Sequence, residues 1–178
     1  MSIEILGISA SPVPNSDTDR LVLQVLEASG LKYEFMKLSD LNVGPQTSKV
    51  NDDFPELAKK LQEAKGLVLG GYTAYGTLDA LSKAFLERLS SMRDLNSSLE
   101  QKYVVTIISG LSKQTREQAL KLIAQELLVG NMHQVAQLSI EENVPCVEDQ
   151  PVWEKANQSG KLLAQSITEE IECWLDYE

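Results

Sequence analysis

Cysteine is nearly missing from the 178 residues: only Cys146 and Cys173 occur, far apart and outside any CxxC spacing. That scarcity excludes a disulfide framework and suits a reducing compartment without demanding one. Histidine is rarer still. His133 stands alone after Gly130-Asn-Met, with no partner constellation for catalysis, and reads as a capping or interface residue. Positive charge is also short, with 16 Lys and Arg against 26 Asp and Glu and a net charge of -10. No basic run relieves this, so duplexes and anionic membranes are disfavoured partners. No stretch reaches the roughly 18 apolar residues of a membrane span. The first residues, Met1 to Ile8, lack a basic leader pattern, so a soluble, cytoplasmic protein is expected.

What is present is an alternation of short apolar runs with helical periods, which predicts βαβ units around a parallel sheet. Strands are expected at Ile3–Ile8, Lys32–Leu38, Leu67–Gly71, Tyr103–Ser109 and Val135–Ile140. Between them, helices are expected at Thr18–Ser29, Asp53–Lys65, Leu78–Met92, Thr115–Val129 and Val152–Leu175. Ser16 or Asp17 can cap the first helix and Gly30 can close it. Capping boxes are expected at Asp53/Glu56 and Thr115/Gln118. Trp153, Cys173 and Trp174 on the last helix read as packing residues, and Glu169 to Glu172 as a solvated face. A single domain, residues 1–178, accounts for the pattern.

In an open parallel sheet, ligands bind beyond the carboxyl ends of the strands. Three loops there have unusual compositions. Ser9 to Thr18 combines small residues, hydroxyls and a following helix N-terminus, which together form either an anion site or an ordinary capped turn. Gly70-Gly-Tyr-Thr-Ala-Tyr-Gly76 puts glycines and tyrosines at a sheet edge, as for a flat aromatic ligand or a tight turn with packed tyrosines. Ser109 to Gln114 is the third.

Together these segments resemble the flavodoxin-like NADPH-dependent FMN reductase family, in particular its iron–sulfur flavoprotein branch. Gly7-Ile-Ser-Ala-Ser-Pro-Val-Pro-Asn-Ser-Asp-Thr18 is similar to the family's phosphate loop. Leu69-Gly-Gly-Tyr-Thr-Ala-Tyr-Gly76, followed by Lys83-Ala-Phe-Leu-Glu-Arg88, resembles its second flavin loop and the helix behind it. Ser159-Gly-Lys-Leu-Leu-Ala164 resembles its ending. The resemblance implies a flavodoxin-like three-layer α/β sandwich, with a five-stranded parallel sheet in the order 2-1-3-4-5 and helices on both faces. It implies FMN as cofactor, with Ser9, Ser11, Asn15, Ser16 and Thr18 on the phosphate. Gly71, Tyr72, Thr73, Ala74, Tyr75 and Gly76 would line the ribityl chain and isoalloxazine, and Ser109 and Gly110 would approach the ring. No side-chain acid or base is implied.

NADPH or NADH is the implied electron donor, or else a redox partner protein. A homodimer or homotetramer is also implied, with Leu78–Met92 as an interface candidate. Departures are visible too: Ala10 replaces a glycine, Val13 and Pro14 replace cations, and Tyr72 replaces a proline. The third loop lacks a glycine-rich run. The stretch Val43 to Asn51 contains none of the branch's cluster cysteines, so no iron–sulfur cluster is expected. An electron carrier and a non-catalytic binding or regulatory relative are the competing functions.

Overall fold

The apolar runs become the interior strands of one sheet because only fully buried strands tolerate near-continuous Val, Ile and Leu. The computed structural model describes residues 3–46, 52–92, 99–142 and 151–175, with side chains to 169. Its elements are β1 (Ile5–Ser9), α1 (Asp17–Ser29), β2 (Tyr33–Lys37), α2 (Phe54–Glu63), β3 (Gly66–Ala74) and β4 (Thr77–Leu78). They continue with α3 (Ala80–Ser91), β5 (Tyr103–Gly110), α4 (Lys113–Val129), β6 (His133–Glu141) and α5 (Pro151–Leu175). The sheet order is β2-β1-β3-β5-β6, so the five long strands follow the expected 2-1-3-4-5 order. All four of their pairings are parallel. The short β4 is the addition, pairing antiparallel with the end of β3.

Alternation along the strands divides the core in two. Leu6, Ile8, Leu67 and Leu69 face α2, α3 and α4, meeting Leu57, Leu61, Phe85, Leu89 and Ile123. Ile5, Val68, Val105 and Ile107 face α1 and α5, meeting Leu21, Val25, Trp153 and Leu163. Helices therefore cover both faces, and the strand ends are left for function.

The helix ends differ from expectation where a side chain found a better partner. Ser16 caps α1 in a full capping box closed by Asp19, and Gly30 ends the helix at φ 66. The Asp53/Glu56 box is absent. Asp53 makes no cap bond; its carboxylate instead takes the Asn42 N–H at 2.7 Å, tying the preceding loop to α2. The neighbouring Asp52 accepts from the Phe54 N–H at 3.3 Å and pairs with Arg88, whose guanidinium lies 4.4 Å over the Phe54 ring. Arg88 of the Lys83–Arg88 stretch thus fastens α3 to the start of α2. Thr115 likewise does not cap α4, because Ser112 does so one turn earlier. The helix expected from Leu78 starts at Ala80, capped by Asp79, since Thr77 and Leu78 are taken by β4. His133 opens β6, its ring 5.4 Å from Tyr103 and its Nε2 2.8 Å from Gln101 Oε1.

At the opposite end of the sheet from the three loops, Lys102 Nζ donates to the carbonyls of Gln62 and Ala64, the closing residues of α2. Burial pushes its ammonium from 10.5 down to about 8. The folded state therefore holds this proton less tightly than the unfolded chain. The penalty is complete below the folded value and fades as pH rises toward the unfolded one. Between about pH 8 and 10, stability should rise more steeply for the native chain than for Lys102→Met, by at most ~1.4 kcal/mol per pH unit. Denaturant midpoints at matched pH values check this. Parallel curves would show that Lys102 titrates alike in both states.

Candidate functional site

The chain leaves β1 through two prolines, and the turn is held by its own hydroxyls. Ala10 N–H still donates to Gly70 O at 2.8 Å, carrying the ladder one residue past the strand. Ser11 N–H then donates to Ser9 Oγ, and Val13 N–H to Ser11 Oγ, both at 3.3 Å. Pro12 and Pro14 have no N–H to offer. Asn15 takes a left-handed φ of 54, which turns the chain into α1. Beneath this turn lies the buried carboxylate of Asp19. It accepts from Ser9 Oγ at 2.5 Å, Ser16 N–H at 3.3 Å and Lys37 Nζ at 2.6 Å. Lys37, the last residue of β2, also donates to Val13 O at 2.9 Å. A buried charge requires such partners, and here they come from three consecutive elements.

The second loop is a hairpin. β3 runs past its neighbours to Ala74, pairs Thr73 with Leu78 and Ala74 with Thr77, and reverses at Tyr75 and Gly76. Both turn residues have positive φ, 50 and 78, the primed geometry that matches strand twist. Tyr75 stands fully exposed at the tip, while Tyr72 is half-buried lower on the hairpin. Asp79 N–H donates to Tyr72 O, and one Asp79 carboxylate oxygen takes the Leu81 and Ser82 N–H groups. Burial foremost, then the charges of Asp79 and Glu142, push the Tyr72 phenol above its usual value. At neutral pH it is a hydrogen-bond donor.

The third loop stitches the other two. Thr18 Oγ1 donates to Ser109 Oγ at 2.9 Å, and Thr73 Oγ1 donates to Ser109 O at 3.4 Å. Gly110 O accepts from buried Arg116 at 2.5 Å and from Glu142 N–H at 3.1 Å. A Cβ on Gly110 would overlap Thr73 Oγ1, so the close approach of hairpin and β5 needs glycine there.

The three loops enclose a cleft of about 490 Å³, a size usual for small-molecule sites. Among the expected residues, Ser11, Ser16, Thr18, Tyr72 and Ser109 line it. Ser9 lies buried below, committed to Asp19, and Asn15 is at the exposed corner. Gly71 is buried in the strand, Thr73 and Ala74 are half-buried on the hairpin, Gly76 is exposed at its tip, and Gly110 is buried at the end of β5, next to Ser109 of the cleft lining. Asp19, Lys37 and the acidic wall of Asp17, Glu141 and Glu142 were not among the expected site residues. Ser16-x-x-Asp19 carries the capping-box spacing that signals the first of them.

These groups fit a flavin phosphate in one respect and oppose it in another. The Asp17 and Thr18 N–H groups open α1 without internal acceptors, the Ser16 hydroxyl keeps its proton to donate, and the helix dipole adds to them. Against these stand the three cleft carboxylates. The donor set therefore fits an anion held by neutral dipoles. Among the described residues no three His, Cys, Asp or Glu gather as metal ligands, and no helix is long and apolar enough to cross a membrane. Cys146 and residues 47–51 of the second-strand loop fall outside the described residues, as do the side chains of Cys173 and Trp174.

Residues 3–143 match the NADPH-dependent FMN reductase family. An iron–sulfur flavoprotein of Methanocaldococcus jannaschii is 32% identical over 104 residues, 51% of this chain and 54% of the relative. The match thus spans about half the length of that curated relative. Among solved structures, RosB with bound 8-demethyl-8-formylriboflavin-5'-phosphate superposes at TM-score 0.81 with 14% identity, covering 96% of this chain and 81% of RosB. An apo NADH:FMN oxidoreductase superposes at TM-score 0.71 with 21% identity, covering 93% and 90%. At these identities the likeness is one of fold.

The Asp19–Lys37 pair provides a direct check of how this edge is built. Lys37→Met should destabilise the protein by about 3 kcal/mol by leaving a buried carboxylate without its cation. Adding Asp19→Asn should recover part of that loss. A Lys37→Met variant as stable as the native chain in urea unfolding would mean that the carboxylate is not held as described.

Proposed function

The chain belongs to the NADPH-dependent FMN reductase family, and from that premise we propose that it is an FMN-binding oxidoreductase passing electrons from NAD(P)H through its flavin. The observation that carries this reading is the cleft at the carboxyl edge, where the loops after β1, β3 and β5 converge. In this reading the Asp17 and Thr18 N–H groups and the Ser16 hydroxyl hold the phosphate. Ser11 and Asn15 flank it, and Ser9 supports the turn from below through Asp19. Tyr72, with its hydroxyl protonated, borders the isoalloxazine, and the backbone of Gly71, Thr73 and Ala74 sets its depth. Ser109 and Gly110 meet the ring from the third loop, while Tyr75 and Gly76 form the outer lip. When bound, the flavin supplies hydride acceptance and one- or two-electron release; the protein supplies position and hydrogen bonds. No side chain is assigned as acid or base. No iron–sulfur cluster enters the proposal, since two cysteines fall short of the three or four thiolates a cubane needs.

The net charge of -10 favours a second reading, an electron carrier docking to a basic partner. One experiment separates the two. Purified protein titrated with FMN should show saturable quenching of flavin fluorescence, and anaerobic NADPH or NADH should then bleach the flavin absorbance. Bleaching by dithionite or a protein donor alone would select the carrier. Failure to take up FMN would overturn both.

A further inference from the structure

Charge inside the cleft is unusual for a site that is to hold a phosphate dianion. Asp17, Glu141 and Glu142 all line it. The cation nearest the turn is already engaged, because Lys37 Nζ sits 2.6 Å from Asp19 and 2.9 Å from Val13 O. Asp19 is buried and Lys37 largely covered, so the ammonium cannot swing to a ligand without leaving a buried carboxylate unpaired. Arg116 is partly occupied, with one terminal nitrogen on Gly110 O and the other 3.8 Å from Glu141, while its Nε is buried without a hydrogen-bond partner among the described residues and is not part of the cleft lining. Arg20 faces Asp17 at 3.5 Å, but both groups are more than a third exposed and their pairing is screened by solvent. Three of the turn's hydroxyls are committed as donors as well, Ser9 to Asp19, Ser11 to Val13 O and Thr18 to Ser109. Among the described residues that line the cleft, what remains for a phosphate is a few neutral N–H groups and the Ser16 hydroxyl, facing three carboxylates.

Resting on the flavin reading above, we propose that the cleft selects its ligand by the isoalloxazine and ribityl chain, that the phosphate adds little, and that Asp17 sets this discrimination. A riboflavin-like flavin without the phosphate is then bound nearly as well as FMN. The side chain of Asp17 lies at the opening of α1, next to the N–H groups that a phosphate would use. Substitution by asparagine removes the charge while keeping the N–H, and the helix cap is unaffected because Ser16 provides it. Salt gives an independent sign. Where lysines or arginines hold a phosphate, added salt weakens binding; where carboxylates repel it, added salt strengthens binding.

Dissociation constants for FMN and riboflavin, measured by fluorescence quenching from ~20 mM to ~0.5 M NaCl, test this over a wide change in screening length. The two flavins should bind within about tenfold of each other at low salt, as weak net phosphate attraction requires. FMN should tighten as salt rises while riboflavin stays constant. Asp17→Asn should tighten FMN by roughly five- to tenfold and riboflavin by less than about twofold, the scale of one screened charge. Glu142→Gln should shift the ratio in the same direction. FMN binding more than about 100-fold tighter than riboflavin and weakened by salt would overturn the proposal. So would an Asp17→Asn variant with an unchanged FMN-to-riboflavin ratio. If neither flavin binds at any salt concentration, the flavin reading itself falls and the proposal with it, a result distinct from either pattern above.

Discussion

A buried carboxylate has to be satisfied, and the way Asp19 is satisfied organises the carboxyl edge of the sheet, where the candidate site lies. Its partners are Ser9 at the end of β1, Ser16 at the head of α1 and Lys37 at the end of β2. Those contacts fix where β1 stops, where α1 starts and how the intervening turn lies over the second strand. Lys37 reaches on to Val13 O and so holds the outer part of the turn too. With α1 placed, Thr18 meets Ser109 across the sheet, and the hairpin after β3 is drawn to the same residue through Thr73. The cleft is what remains between three loops anchored in this way. Its acidic character follows in part from the same arrangement, because the internal carboxylate uses the cation that could otherwise face a ligand.

Much of the fold was legible because burial on both faces leaves a plain mark. Near-continuous apolar runs such as Val104–Ile108 read as central strands, and the helical periods between them read as crossovers. Boundaries were less legible wherever two local signals competed. Gly70 to Gly76 looks like a glycine-rich loop, yet the backbone continues as strand because Thr77 and Leu78 pair back onto it. Asp53 has the spacing of a cap, but the Asn42 N–H captures its carboxylate, a contact between residues far apart in the turn-rich segment. Ser112 caps α4 in place of Thr115 because the helix gains a turn when it starts directly after β5.

The candidate cleft was legible by position, and the part each side chain plays in it was less so. The rule that ligands lie beyond the carboxyl ends of parallel strands located all three loops. It could not show that Ser9 would be turned inward to Asp19, or that Tyr75 would project into solvent while Tyr72 borders the cleft. Nor could it reveal the acidic wall from Glu141 and Glu142, which reach the cleft only because β6 lies beside β5 with its end level with Gly110. Family membership supplies the flavin as the group to test, and the donor chemistry describes how such a group would be held: by dipoles at its phosphate and by backbone and aromatic groups at its ring.

If one ligand contacts all three loops at once, amide chemical shifts will report it residue by residue. Titrating isotopically labelled protein with FMN should move the N–H signals of Asp17, Thr18, Tyr72 and Gly110 together, with one common saturation curve. Signals from Gln62 to Ala64, at the end of α2, and from Lys102 beside them at the opposite end of the sheet, should stay in place. Saturable shifts confined to those distant residues, or to one loop alone, would show that the three loops do not share a ligand.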